Sequence, residues 1–115
     1  MNQSTIKIDV LLDANKVPEQ ISWSATDSST DMPQKAKAMS LAFWDGADKT
    51  ALRIDLWTKD MMIDEMADFY YQMFSTMADT FERSTKQQGP SDDIKKFAQE
   101  FQKKFRASQM KEAGK

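Results

Sequence analysis

Cysteine and histidine are both missing from this chain of 115 residues. Without cysteine there can be no disulfide and no thiolate metal site. Without histidine the commonest general base and metal ligand is gone as well. Only three glycines occur, Gly46, Gly89 and Gly114, too far apart to build a loop that cradles phosphate. No apolar run approaches the roughly 18 residues of a membrane span. The start, Met1-Asn2-Gln3-Ser4-Thr5, has neither the basic stretch nor the apolar core of a signal peptide, so a cytoplasmic location is expected.

What is present is ordinary for a folded chain. Hydrophobic residues make up 40% and charged residues 30%, and the length suits one domain with a modest core. The net charge of −2 is unevenly spread. From Ile94 onward seven Lys/Arg stand against two Asp/Glu, while the preceding residues carry nine against sixteen. A basic tail on an acidic body fits internal complementarity or a solvated helix face better than nucleic acid or an anionic membrane.

The first half reads as four strands over about residues 5–58. Ile6, Ile8, Val10 and Leu12 recur every second residue, and alternation resumes from Val17 through Ile21 and Trp23. Pro18 has no N–H to give, which places it at a sheet edge or beside a bulge. Ser24 to Pro33 reads as an exposed loop. A third strand, Lys35 to Trp44, sends Met39, Leu41 and Phe43 one way and Ala38, Ala42 and Trp44 the other. Asp45-Gly46 signals a hairpin with a loop longer than two residues. Thr50 to Thr58 follows, with Leu52, Ile54 and Leu56 inward and Arg53, Asp55 and Trp57 outward.

The second half reads as helix. Ile63, Met66, Phe69, Tyr70, Met73, Phe74, Met77 and Phe81 recur at spacings of three and four, which predicts a long helix over about residues 61–87. Gly89-Pro90 is expected to end it, and Ser91 with Asp92 and Asp93 to start a shorter helix over about residues 91–108. Its stripe of Ile94, Phe97, Ala98, Phe101 and Phe105 fits a helix hairpin better than a membrane-surface helix. Residues 109–115 are expected to fray. The fold class is therefore α+β: one domain over residues 1–115, a four-stranded antiparallel sheet followed by two helices. Leu52, Ile54 and Leu56 should share one core with Met66, Met73 and Met77.

Candidates for chemistry are few. Asp64, Glu65 and Asp68 lie together on the helix face away from the apolar stripe, where solvation is the simpler reading than acid–base work or a hard-metal site. No enzyme activity and no cofactor are expected. Met61, Met62, Met66, Met73 and Met77 line one helix, as core filling or as an adaptable binding surface. Trp57 has Arg53 and Asp55 on its face, a balanced patch that argues against nucleic acid. One surplus remains: a sheet covered on one side should be polar on the other. Here Leu11, Phe43, Trp44 and Trp57 are the interface candidates, and they imply a homo-oligomer, dimer or tetramer, or another bound protein.

Several blocks carry a family resemblance. Leu52-Arg53-Ile54-Asp55-Leu56-Trp57-Thr58-Lys59-Asp60-Met61 resembles the central block of the gliding-motility GldC family. Val17-Pro18-Glu19-Gln20-Ile21-Ser22-Trp23, Phe43-Trp44-Asp45 and Met77-Ala78-Asp79-Thr80-Phe81-Glu82-Arg83 resemble it too, over about Ser4 to Phe105. The resemblance implies a cytoplasmic accessory of surface motility in gliding bacteria of the Bacteroidetes type, with no catalytic residue to carry over. The order of strands and helices also looks like that of the export chaperone SecB, a likeness of architecture alone. It implies that apolar surface could hold unfolded secretory clients.

Overall fold

The computed structural model describes residues 2–26 and 32–113. The chain comprises two compact units, Met1–Met61 and Met62–Lys115. The expected loop residues from Asp27 to Asp31 lie outside the described residues, as do Gly114 and Lys115 of the expected frayed tail.

The first unit holds five strands: β1 (Ile6–Leu12), β2 (Pro18–Ala25), β3 (Gln34–Ala36), β4 (Ala38–Asp45) and β5 (Thr50–Trp57). β1 and β2 form an antiparallel hairpin whose register slips between Leu11 and Leu12, where Leu12 faces Pro18. The missing N–H of Pro18 is thus accommodated at the first residue of its strand, beside a bulge. Asp13 closes the turn. Its Oδ1 accepts the N–H groups of Asn15 and Val17 at 2.8 and 3.0 Å, and Lys16 takes a left-handed φ of 64°. Ile21 sits opposite Val10 and Ala36 and is the buried apolar residue of this sheet.

The expected third strand is broken in two. β3 pairs with β2, β4 pairs with β5, and the chain bends at Lys37 between them. The sheets accordingly have three strands, in the order β1-β2-β3, and two strands, β4-β5, in place of the expected four-stranded sheet. Thr58 explains the switch. Its N–H donates to the Lys37 carbonyl at 2.8 Å, its Oγ1 lies 3.1 Å from the same oxygen, and it is only 2% exposed. Gln34 to Ala36 pair with β2, and from Lys37 onward the backbone bonds to β5 instead.

Charges brace the same corner. The Lys59 ammonium pairs with Asp13 and lies 3.7 Å from Glu19. This pairing holds the Asp13 carboxyl below the usual carboxylate range, helped by the Val17 N–H, and raises Lys59 in turn. Thr58 Oγ1 also reaches the Asp60 carboxylate, and that hydrogen bond is the main cause of its lowered pKa.

In the β4–β5 hairpin, Asp45 Oδ1 accepts the N–H of Ala47 at 2.9 Å, and Lys49 takes the left-handed position at φ 55°. Gly46, part of the expected hairpin signal, has no positive φ. The loop has four residues and the left-handed one comes last, so glycine's freedom is not needed at its start.

The second unit is a helix pair, α1 (Ile63–Thr85) and α2 (Gln88–Ala113). The break falls earlier than expected. Lys86 adopts a left-handed φ of 62° and caps α1 by donating to the Glu82 carbonyl at 2.7 Å. Gly89 and Pro90 therefore fall inside the first turn of α2, where a proline loses no helical hydrogen bond. α2 is also the longer helix, 26 residues against 23, because it continues through the region expected to fray.

The pair is held by small residues and aromatic edges. Ala78 and Ala98 are fully buried, and so is Ser91, whose Oγ donates to the Ala78 carbonyl at 2.7 Å. Ser91 is thus a contact between helices, not the cap expected from its position. Phe74 meets Phe97 and Phe101 edge-on, with centroids 5.4 and 5.5 Å apart, which is the helix-hairpin reading of the aromatic stripe. Lys95 and Asp79 add an ion pair at 2.7 Å.

Two outcomes follow. Ala98→Leu should cost about 1–3 kcal/mol by overpacking a fully buried site, read as a lower midpoint in chemical denaturation. Ser91→Ala should cost about 0.5–1.5 kcal/mol, the net value of one hydrogen bond. A midpoint unchanged by Ala98→Leu would contradict this packing.

The shifted groups also set the pH response. Asp13 and Asp60 have folded pKa values below their unfolded ones, so their stabilisation is present above about pH 4 and is lost as pH falls through the folded values. Lys59 and Lys95 are raised, the latter by its hydrogen bond to Asp79, so their stabilisation is present below about pH 10.4 and lost above it. Denaturation midpoints should fall at both extremes, and Asp13→Asn should flatten both limbs. Identical pH profiles for the variant and the natural chain would remove Asp13–Lys59 from the account.

Candidate interaction surface

The β4–β5 hairpin presents two different faces. Opposed pairs in an antiparallel ladder point the same way. Met39 faces Leu56, Leu41 faces Ile54 and Phe43 faces Leu52, so one face is wholly apolar over three successive pairs. It is also open: Phe43, Leu52 and Ile54 are 55%, 56% and 49% exposed. Of the residues expected to share a core, Leu52 and Ile54 are exposed in the first unit and Met77 in the second. Among the described residues the buried apolar side chains are Ile21, Ala78 and Ala98.

The other face carries an aromatic at each end and a polar network between them. Trp44 stands opposite Ala51 and Trp57 opposite Ala38, both indoles largely exposed. Between them Arg53 forks onto Asp55, with Nη2 to Oδ1 at 3.0 Å and Nε to Oδ2 at 3.3 Å. Ser40, directly across from Asp55, donates to the same carboxylate at 2.7 Å and accepts from Arg53. The Arg53 and Ser40 hydrogen bonds hold the Asp55 carboxyl below its ordinary range.

Of the four residues singled out from the sequence, Trp44 and Trp57 share this face. Phe43 lies on the opposite, apolar face with Leu52. Leu11 belongs to β1, where it faces Gln20 and lines an open depression with Glu19, Gln20, Lys59 and Asp60. All four are exposed, but they do not gather into one patch. The apolar face was missed as exposed surface because alternation reports which residues share a face and not whether anything covers it.

The helices add apolar surface of their own. Met62, Ile63 and Met77 of the α1 side and Phe97 and Met110 of α2 are more than half exposed. Of the acidic trio, Glu65 accepts the Met62 N–H at 3.1 Å and caps α1, while Asp64 and Asp68 lie exposed. Among the described residues no group of three or more acidic side chains is placed to hold a metal ion. No helix among them is long and apolar enough to cross a membrane.

No curated protein and no solved structure matches the chain. One family does, described as gliding motility-associated protein GldC-like, over residues 18–107. That span takes in β2 to β5, α1 and most of α2, and with them the hairpin and its two faces. The chain belongs to the GldC-like family of gliding motility-associated proteins.

Proposed function

We propose that the protein is a cytoplasmic, non-enzymatic accessory of gliding motility that works by binding other polypeptides, and that it does so as a homo-oligomer. The observation that carries this reading is the β4–β5 hairpin, apolar across one face, tipped with indoles on the other, and open on both. A two-stranded hairpin is marginal by itself, and apolar surface on this scale in a folded chain marks an interface. The helices support the same conclusion, since Met62 and Met77 leave flexible thioethers in water where varied apolar partners can be accommodated.

A holding chaperone for secreted motility components, of the SecB kind, is the second reading. The order of strands before helices and the methionine-bearing surface favour it. The two readings differ in selectivity. An interaction partner binds one or two folded proteins; a holding chaperone suppresses aggregation of unrelated unfolded ones.

Light scattering of the purified chain should give the mass of a dimer or tetramer. Trp57→Lys should lower that mass while leaving the far-ultraviolet dichroism unchanged. A monomeric natural chain at tens of micromolar removes the homo-oligomer. For partner binding, Phe43→Asp should abolish retention of the folded partner recovered with the natural chain. Equal retention by both would move the contact off the apolar face.

A further inference from the structure

Among the described residues β5 pairs only with β4, which leaves its second edge open along its whole length. Which backbone groups point there follows from one hydrogen bond. The Thr58 N–H donates to its register partner Lys37, so Thr58 and every second residue before it turn toward β4. Ala51, Arg53, Asp55 and Trp57 therefore direct their N–H and C=O groups to the open edge.

We propose that this edge is closed by β5 of a second copy of the chain, antiparallel about a two-fold axis that passes beside Ile54. The side chains select this register. A two-fold axis perpendicular to the sheet allows only arrangements in which odd-numbered residues of β5 oppose odd-numbered ones. Centring on Arg53 sets arginine against arginine, and centring on Asp55 sets aspartate against aspartate. Like charges directly opposed destabilise a sheet. Centring on Ile54 sets Arg53 against the second copy's Asp55 and Asp55 against its Arg53. It also opposes Leu52 to Leu56, Ile54 to Ile54 and Trp57 to Ala51, so every opposed pair is complementary.

The arrangement deepens the self-association proposed above and rests on it. It turns two marginal hairpins into one four-stranded antiparallel sheet, above the three strands needed for independent stability. It also makes the apolar faces of the two hairpins continuous, doubling the surface offered to a partner polypeptide. β1 has a similar alternation, Lys7-Ile8-Asp9, at an edge of its own sheet. That sheet already has three strands, and its Lys7–Asp9 pair is looser, at 3.7 Å.

The absence of cysteine makes the test direct, because a single introduced thiol has only its own copy to meet. Ile54 faces itself in a pair without mutual backbone hydrogen bonds, where Cβ atoms come close enough for a disulfide. Under mild oxidation Ile54→Cys should convert most of the chain to a covalent dimer. Leu52→Cys and Leu56→Cys should each stay uncrosslinked alone and link when mixed. In light scattering, Arg53→Asp and Asp55→Arg should each lose dimer at least tenfold, and an equimolar mixture of the two should recover it as a heterodimer. A register based on the pair within one chain gives no such recovery, since both variants lack that pair. Oligomers in which Ile54→Cys stays uncrosslinked overturn the register and leave self-association standing, as does linkage through Ile8→Cys instead. A monomeric natural chain overturns both.

Discussion

The hydrogen bond from the Thr58 N–H to the carbonyl of Lys37 decides where the long strand between residues 34 and 45 changes partner, and the rest of the first unit follows from that point. Before it, Gln34 to Ala36 extend the β1–β2 hairpin; after it, Ala38 to Asp45 pair with β5. The result is one sheet of three strands and one of two. The same bond also sets the parity of β5, which determines which residues face β4 and which face outward. Thr58 is buried, and the Lys59 pairing with Asp13 lies beside it, so this corner combines the best-shielded polar contact of the unit with a charge clamp. An exposed ion pair alone contributes little. Its value here is that it ties the β1–β2 turn to the residue after Thr58.

The scarcity of buried apolar surface is the second governing fact. Burial of a large apolar side chain contributes about 1.5–3 kcal/mol, so a chain that leaves Phe43, Trp44, Leu52, Ile54 and Trp57 exposed forgoes much of that stabilisation. Backbone ordering costs about 1–2 kcal/mol per residue regardless of what is buried. On the proposed reading, binding and folding stability are coupled at this site, because whatever covers the hairpin also stabilises the folded chain.

The strands and helices were legible because each is a periodicity. The alternation of Ile6, Ile8 and Val10 and the pairing faces of β4 and β5 emerge as read, and the aromatic stripe of α2 meets α1 through Phe74 as a helix hairpin should. The division of the third strand was not legible, since the bend at Lys37 depends on Thr58, twenty-one residues away, and nothing local marks it. Gly89-Pro90 misled for a different reason. Proline breaks a helix in its interior but is tolerated in the first turn, and here Lys86 had already ended α1. Ser91 had the identity of a cap, but the small residues Ala78 and Ala98 bring the helices close enough to bury it. Of the candidate surface, the exposed indoles were visible as a surplus on one strand face. The apolar face behind them was not, because its residues look the same whether covered or open.

Arg53 and Asp55 show how one pair of charges can serve two ends. Natural sheets commonly place charges on edge strands to keep other chains away. That defence works when the charges are alike or isolated, since a second copy then meets repulsion or an unpaired ion. A plus and a minus two residues apart on one face do the opposite in an antiparallel pairing with the same sequence, because the two-fold axis exchanges them. With Ile54 between them, the repeat is its own complement in one register and repels in the two neighbouring ones. The pair within the chain, anchored by Ser40, holds both groups ordered on the face before any partner arrives, which lowers the side-chain entropy still to be lost on assembly. On the proposal above, the charges narrow the choice of partner to a strand with this pattern, and β5 of a second copy carries it.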